Sequence, residues 1–364
     1  MRALFEFDGK PLLFTDPVDR IVCHDPSKLM DCLATIETAL SQGYYAAGFL
    51  SYEAGYALEP ALMHLKGDTF PLLSFGIFKA PRQRPLSANG AGFCVQNITC
   101  NISKDDYTRD IARIHDHIRD GDVYQITYCL KKHFSFQGDA FDLYRHLLKH
   151  QPVPYPAYID ADGYKILSLS PEMFVRKDGS RVVAKPMKGS WPRGGLVNDL
   201  LGQWLLGNDP KNRAENVMIA DLLRNDLGRV AREVKTPRLF DVARYKTIFQ
   251  MTSTVEGRVA ADLPLAALFK AIFPSGSVTG APKVKAMEII HRLERTPRRI
   301  YTGAIGWISP GRDLYFNVPI RTLLIKDGAG EMGIGGGIVW DSTAEGEWAE
   351  GLWKARFLEA ATTG

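Results

Sequence analysis

The sequence lacks long apolar segments and is poor in cysteine. None of its 364 residues belongs to a run approaching the ~18 apolar residues of a membrane-spanning helix. Charged residues also interrupt the N-terminus, where a secretory signal would be apolar. The five cysteines form no C-x-x-C pair, so we expect buried free thiols in a reducing compartment. These absences predict a cytoplasmic protein that is not associated with a membrane.

Blocks of like charge are also absent. Lys and Arg number 45 against 41 Asp and Glu, which gives a net charge of +4, and the two signs are mixed along the chain. No nucleic-acid partner is therefore expected. The 33 glycines and 21 prolines follow no period, which excludes collagen-like and low-complexity chains. With 45% hydrophobic residues, the chain can bury a large core.

Turn signals and helical patterns alternate irregularly along the chain. Asp-Gly pairs between strand-like runs predict hairpins, and hence antiparallel sheet, at 162–163, 178–179 and 327–328. Helical patterns fall at about 28–40, 103–121, 139–150, 210–231, 262–273, 281–294 and 343–361. Strands grouped with strands, with helices inserted between them, predict an α+β fold.

The last predicted helix places three charged side chains on one face. Glu347, Glu350 and Lys354 recur at i, i+3 and i+7, a spacing that is also common in exposed ion-paired stripes. The glycine-rich run 333–339 precedes this helix. Such a run allows backbone to come close to another group or to a ligand. The pattern therefore indicates either a solvated surface or the wall of a site.

A carboxylate also interrupts an apolar helix. Glu215 shares a face of the 210–231 helix with Ile219 and Leu222, where it requires a cation or a hydrogen-bond donor. A buried salt bridge would satisfy this requirement. Alternatively, Glu215 and Glu350 could share a hard cation such as Mg²⁺ that also holds a substrate oxygen.

Three other segments contain groups suited to catalysis or anion binding. The small-residue loop and Pro-started helix at 273–283 favour a bound anion, although an ordinary helix-entry turn would look the same. Lys188 follows a strand and precedes Gly189. An exposed loop lysine is the plain alternative there, because lysine becomes a nucleophile only when its amine is kept neutral. Glu172 ends another strand and, in a partly apolar cleft, could act as a general acid.

Together these segments resemble the chorismate-utilising enzymes over about residues 100–360. The family's motifs occur in order as Ser170-Pro171-Glu172, Pro186-Met187-Lys188-Gly189-Ser190, Ala214-Glu215-Asn216, Gly276-Ser277-Val278-Thr279-Gly280-Ala281-Pro282-Lys283, Tyr301-Thr302-Gly303-Ala304, Gly335-Gly336-Gly337-Ile338-Val339 and the Glu347/Glu350/Lys354 helix. The resemblance implies antiparallel β-sheets packed around a central cleft with helices outside. Residues 1–90 would form an N-terminal subdomain completing the sheet core, and residues 91–364 the chorismate-binding catalytic domain.

The resemblance also implies the roles of the site residues. Lys188 would attack chorismate covalently, and Glu172 would transfer the proton. Mg²⁺ would be held by Glu215 and Glu350, with Glu347 as an additional or water-mediated ligand. The residues expected to contact the substrate are Gln125, Ser277, Thr279, Gly280, Tyr301, Arg321, Gly335, Gly336 and Lys354.

Two positions distinguish the reactions within the family. Gln125 stands where isochorismate and salicylate synthases carry a water-activating lysine, and an amide cannot serve as that base. Lys188 stands where aminodeoxychorismate synthases carry lysine and anthranilate synthases alanine. The resemblance therefore implies a transferase of the transaminase class that aminates chorismate to 4-amino-4-deoxychorismate, as component I in 4-aminobenzoate and folate biosynthesis.

Ammonia for this reaction would come from a partner. No glutaminase nucleophile motif is recognisable among the cysteines, so a glutamine amidotransferase, component II, is the expected partner. Two alternatives stay open at this point. The chain could be an anthranilate synthase component I, or it could be a non-catalytic chorismate-binding subunit.

Overall fold

Two large antiparallel β-sheets face each other, and α-helices cover their outer faces. The computed structural model describes residues 1–84, 86, 90–244, 248–359 and 361. Its strands are β1 (Arg2–Phe5), β2 (Leu12–Phe14), β3 (Asp19–Cys23), β4 (Tyr45–Leu50), β5 (Leu73–Phe78), β6 (Phe93–Cys100), β7 (Gln125–Gly138), β8 (Tyr155–Ala161), β9 (Tyr164–Ser170), β10 (Met173–Asp178), β11 (Arg181–Lys185), β12 (Met187–Pro192), β13 (Arg232–Arg244), β14 (Ile248–Arg258), β15 (Gly280–Ala281), β16 (Ala304–Ile308), β17 (Leu314–Asn317), β18 (Thr322–Lys326) and β19 (Ala329–Ile338).

Helices connect these strands at irregular intervals. They are α1 (Leu29–Ser41), α2 (Ala54–Leu58), α3 (Lys104–Arg119), α4 (Ala140–His150), α5 (Leu196–Asn208), α6 (Pro210–Gly228), α7 (Leu265–Ile272), α8 (Lys283–Leu293) and α9 (Ala344–Glu359). Local signals set their starts. Asp209, for example, caps α6 by accepting a hydrogen bond from the Asn212 N–H, with Pro210 at a first-turn position that needs no N–H donor. None of the described helices is long and apolar enough to cross a membrane.

The chain order of the strands is mixed within each sheet. The first sheet runs β15-β7-β19-β18-β9-β8-β1-β2, with β6 also paired to β7. The second runs β12-β14-β11-β10-β17-β16-β4-β5-β3, with β13 also paired to β14. All of these pairings are antiparallel. The N-terminal strands therefore belong to both sheets.

Alternation along the strands separates the core into layers. On β4, for example, Ala47 and Phe49 belong to the cluster between the sheets, whereas Ala46 and Leu50 belong to the cluster on the outer face. This two-residue period is what a strand buried on both faces requires. Helices α3, α4, α8 and α9 cover the first sheet, and α1, α6 and α7 cover the second.

The structure confirms the predicted fold class and the three hairpins. The turns at 162–163, 178–179 and 327–328 join β8 to β9, β10 to β11 and β18 to β19. Helix α5 was not predicted, although Leu196, Leu200 and Trp204 recur in it at helical spacing. Lys188 lies within strand β12 rather than in a loop.

The proposed boundary between an N-terminal subdomain and a catalytic domain falls in the connection between β5 and β6. Residues 85 and 87–89 of that link lie outside the described residues. Strands β1 and β2 extend the first sheet through β8, while β4 extends the second through β16. The first 90 residues are thus paired into both sheets, and the division at residue 90 stays a prediction.

Candidate active site

A cavity of about 740 Å³ lies between elements of the two sheets. Strand β12 and helix α6 contribute one side, and β19 with helix α9 contributes the other. Eleven of the predicted site residues line it, namely Glu172, Lys188, Glu215, Ser277, Tyr301, Arg321, Gly335, Gly336, Glu347, Glu350 and Lys354. Segments far apart in the chain therefore meet at one site.

Lys188 has the surroundings that an amine nucleophile needs. Burial is the largest influence and lowers the pKa of its ammonium, with the nearby charge of Lys354 adding to this effect. Glu215, Glu172 and Glu350 act in the opposite direction. Within the described part of the chain, Lys188 Nζ forms no hydrogen bond or ion pair. More of this amine is therefore neutral and reactive than for a lysine in water.

The glycine-rich run on β19 makes room for these side chains. A Cβ on Gly337 would lie 2.3 Å from Gln125 Nε2 and 2.7 Å from Lys188 Nζ. A Cβ on Gly336 would lie 2.6 Å from Glu347 Oε2. Because these glycines have no side chain, the side chains of Gln125, Lys188 and Glu347 can come close to the β19 backbone. This is the close approach that the glycine-rich run predicted.

Glu172 is a buried carboxyl group whose pKa lies close to neutral pH. It is 3% exposed, and desolvation raises its pKa to about 7. Ser277 Oγ donates a 2.5 Å hydrogen bond to Glu172 Oε1, and the positive charge of Lys188 also favours the ionised form. Ser275 Oγ lies 2.9 Å from Ser277 Oγ. A carboxyl group with such a pKa can donate or accept a proton at physiological pH.

The charged face of α9 is ion-paired and also faces the cavity. Lys354 Nζ lies 2.8 Å from Glu350 Oε1 and donates a 2.9 Å hydrogen bond to the Gly335 carbonyl. The Lys354 charge is the main cause of the lowered pKa of Glu350. Glu347 accepts a 2.7 Å hydrogen bond from Ser342 Oγ, and burial raises its pKa. This face of α9 is therefore both an ion-paired stripe and a wall of the cavity.

Glu215 differs from Glu350 in its ion pairing. It lines the cavity and forms no ion pair within the described residues, so the buried salt bridge considered for it is not formed. Among the described residues, no three His, Cys, Asp or Glu side chains are gathered closely enough to hold a metal ion. Mg²⁺ needs only one or two carboxylates when waters and a substrate complete its shell. The oxygen donors of Glu215 and Glu350 fit this requirement.

Three predicted substrate contacts do not reach the cavity lining. Gln125 is fully buried behind Gly337, and both of its amide atoms lack a hydrogen-bond partner in the described structure. Thr279 is fully buried, with its hydroxyl donating 2.8 Å to the Ser275 carbonyl. Gly280 pairs with β7, and a Cβ there would lie 2.3 Å from the Gln125 carbonyl oxygen. These three residues lie behind the cavity lining, and their contact with the substrate stays a prediction.

Sequence analysis missed the group that holds the Ser277 loop. Arg298 is 2% exposed and donates to the Val278 carbonyl at 2.7 Å, to the Thr127 carbonyl at 2.6 Å and to Glu294 at 2.6 Å. It therefore ties this loop to strand β7. A single arginine in a loop carries no signal of such a role, which depends on three segments distant in sequence.

A largely buried ion pair connects helices α6 and α8. Lys283 Nζ lies 2.6 Å from Asp226 Oδ2, with side chains 14% and 12% exposed. Lys283 also donates to the Ile272 carbonyl at 3.2 Å. The pair fixes the end of α6 against the start of α8, and so fixes Glu215 relative to the Ser277 loop.

Comparisons with known proteins agree with this arrangement. The family of chorismate binding enzymes matches residues 79–360. Aminodeoxychorismate synthase component 1 of Klebsiella aerogenes is 40% identical over 253 residues, which are 69% of this chain and 56% of that protein. Anthranilate synthase component 1 of Acetivibrio thermocellus is 39% identical over 266 residues, 72% of this chain and 53% of that protein. The chain spans about half the length of these curated relatives.

Solved structures give the same result for the fold. A 2,3-dihydroxybenzoate-specific isochorismate synthase from Bacillus anthracis superposes with a TM-score of 0.81 at 20% identity, covering 99% of this chain and 95% of that one. Anthranilate synthase component I from Streptococcus pneumoniae TIGR4 superposes with a TM-score of 0.79 at 25% identity, covering 98% and 89%. Because the family model matches residues 79–360, the chain belongs to the chorismate binding enzymes.

Proposed function

We propose that this chain acts as the component I type of aminodeoxychorismate synthase, converting chorismate and ammonia to 4-amino-4-deoxychorismate. The observation that carries the proposal is a lysine of lowered pKa, Lys188, beside a carboxyl group of raised pKa, Glu172, in one cavity. A nucleophilic amine and a proton donor are the two groups that a covalent amination requires. Curated relatives named aminodeoxychorismate synthase component 1 support the same choice.

The covalent step exchanges a C–O bond for a C–N bond. The neutral amine of Lys188 attacks C2 of chorismate, the ring double bonds shift, and the C4 hydroxyl leaves as water with a proton from Glu172. Ammonia then adds at C4, the double bonds shift back, and the C2–N bond to Lys188 breaks. The lysine amine is regenerated. Covalent catalysis of this kind divides one difficult substitution into two easier steps.

The other groups of the cavity orient the substrate. The guanidinium of Arg321 and the ammonium of Lys354 are suited to the two carboxylates of chorismate. Tyr301 contributes to the same wall. Glu215 and Glu350 would hold Mg²⁺, with Glu347 nearby, and the ion would supply positive charge for the departing hydroxyl oxygen.

A partner that releases ammonia is part of the proposal. Glutamine hydrolysis needs an activated thiolate, whose pKa is lowered. Burial instead raises the pKa of Cys129 to about 12, and that of Cys23 also to about 12. Cysteines with such pKa values are poor nucleophiles. We therefore propose that a glutamine amidotransferase supplies the ammonia.

A product assay tests this function. The purified chain is incubated with chorismate, Mg²⁺ and an ammonium salt at alkaline pH, and in parallel with glutamine in place of ammonium. We expect aminodeoxychorismate from ammonium and no product from glutamine alone. Anthranilate as the product would instead identify an anthranilate synthase component I, and no product with chorismate still bound would identify a non-catalytic subunit. Robust turnover with glutamine alone would refute the partner assignment.

A further inference from the structure

A second, smaller cavity adjoins the candidate active site. It measures about 280 Å³ and lies where α4 packs against α9. Its lining is His150, Gln151, Arg321, Trp353, Lys354, Arg356 and Phe357. Four of these residues, Arg321, Trp353, Lys354 and Arg356, also line the larger cavity. The two cavities therefore adjoin at these four side chains, and the smaller one is called the vestibule below.

The charge of the vestibule has one sign. Arg321, Lys354 and Arg356 are cations, and among the described residues no acidic side chain belongs to the lining. In the larger cavity, by contrast, Glu172, Glu215, Glu347 and Glu350 stand among the cations. An anion in the vestibule would therefore meet an attractive field without opposing carboxylates in the lining. Trp353 and Phe357 add apolar surface for the uncharged part of such a ligand.

Arg356 is the residue of the vestibule best placed to act at a distance. It is exposed and forms no ion pair with another described residue. Lys354, one half-turn before it on α9, is already bound to Glu350 and to the Gly335 carbonyl. A guanidinium with no ion pair among the described residues loses no such partner there when an anion arrives.

We propose that this vestibule is an anion-capture site that guides a small dicarboxylate into the active-site cavity, with Arg356 as its main steering charge. The inference rests on the proposed function, for which the dicarboxylate is chorismate. Charges at the rim of a site mainly raise the association rate constant, and salt screens them. Arg321 and Lys354 then receive the two carboxylates further in, because they line both spaces.

The test measures the first, chorismate-concentration-dependent phase of binding, which precedes the covalent step on Lys188. Stopped-flow fluorescence is recorded with Mg²⁺ and without ammonia, for the wild type, Arg356→Gln and Arg356→Glu. Trp353 lines both cavities, so its fluorescence should change when chorismate binds. Loss of this change in Trp353→Phe shows that Trp353 is its source. The matched control is Arg232→Gln, which removes an exposed arginine of β13 that lines neither cavity. Thermal melting checks that each variant is folded.

We expect Arg356→Gln to lower the association rate constant about 3- to 10-fold at low ionic strength, and Arg356→Glu to lower it further. The dissociation rate constant should stay unchanged, and the difference should nearly disappear at about 0.5 M KCl. An unchanged association rate, or a change confined to dissociation, would overturn the capture role while leaving the proposed function intact. Absence of any chorismate binding to the folded wild type would instead refute the proposed function itself.

Discussion

Replacing Gly337 by alanine tests whether the glycine run exists to position the reactive amine. The added Cβ would lie 2.3 Å from Gln125 Nε2 and 2.7 Å from Lys188 Nζ. Ordinary non-bonded contacts are about 3.5 Å or longer, so one or both groups must move by about 1 Å. Gly337 is not among the glycines with positive φ, so the alanine backbone itself is unstrained and the effect comes from the contact alone.

The expected result is a large loss of activity with a small loss of stability. Both contacted atoms are ends of flexible side chains, so we expect the free energy of unfolding to fall by only about 1 kcal/mol, the low end for overpacking. A 1 Å misplacement of a reacting group can lower kcat by about 100-fold. The assay is steady-state turnover of chorismate with ammonium, together with urea denaturation of the same samples.

A glycine elsewhere provides the control. A Cβ on Gly311 would meet only Ser309 Oγ, at 3.8 Å, so Gly311→Ala should leave both kcat and stability unchanged. If folded Gly337→Ala turned over chorismate within about twofold of the wild type, the positioning argument would be wrong.

Three further predictions follow from the buried and charged groups. Ser277→Ala removes the hydrogen bond that favours ionised Glu172, so the pKa of Glu172 should rise above its value of about 7. The alkaline limb of the pH profile of kcat/KM should then move to higher pH, and a shift to lower pH would contradict the proton-donor role. Lys283→Met leaves Asp226 buried without its partner, so urea denaturation should show a loss of about 3–5 kcal/mol. Restoration of most of that loss by adding Asp226→Leu would confirm the cause, whereas no loss in the single variant would refute it. Glu350→Gln should raise the Mg²⁺ concentration for half-maximal activity without unfolding the chain, and an unchanged Mg²⁺ requirement would place the metal elsewhere.

The sequence predicted those features that depend on local chemistry. Asp-Gly turns need positive φ, and all three formed the expected hairpins because short-range turn chemistry decides them. The Glu347, Glu350 and Lys354 spacing likewise gave one helix face. Helix α5 was missed although its apolar residues recur at helical spacing, and three of them, Leu200, Leu201 and Trp204, are exposed and do not pack into the core.

The sequence predicted which residues come together at the site better than it predicted the contacts that each of them makes. Motif order brought most of the expected residues to one cavity, but it could not distinguish a residue on the wall from one behind it. Thr279 points its hydroxyl at the Ser275 carbonyl, and Gly280 is required by the close approach of β7. The role of Arg298 could not be predicted, since it arises only when the segments of Thr127 and Val278, both distant in sequence, meet around it.

The most direct test of the covalent role of Lys188 is to trap the adduct. The chain is incubated with chorismate and Mg²⁺ without ammonia, and its intact mass and peptide map are recorded, with Lys188→Ala as the matched control. The proposal predicts a mass increase equal to chorismate less one water, located on Lys188 and absent from the variant. An adduct on another lysine, or normal amination of chorismate by folded Lys188→Ala, would contradict it.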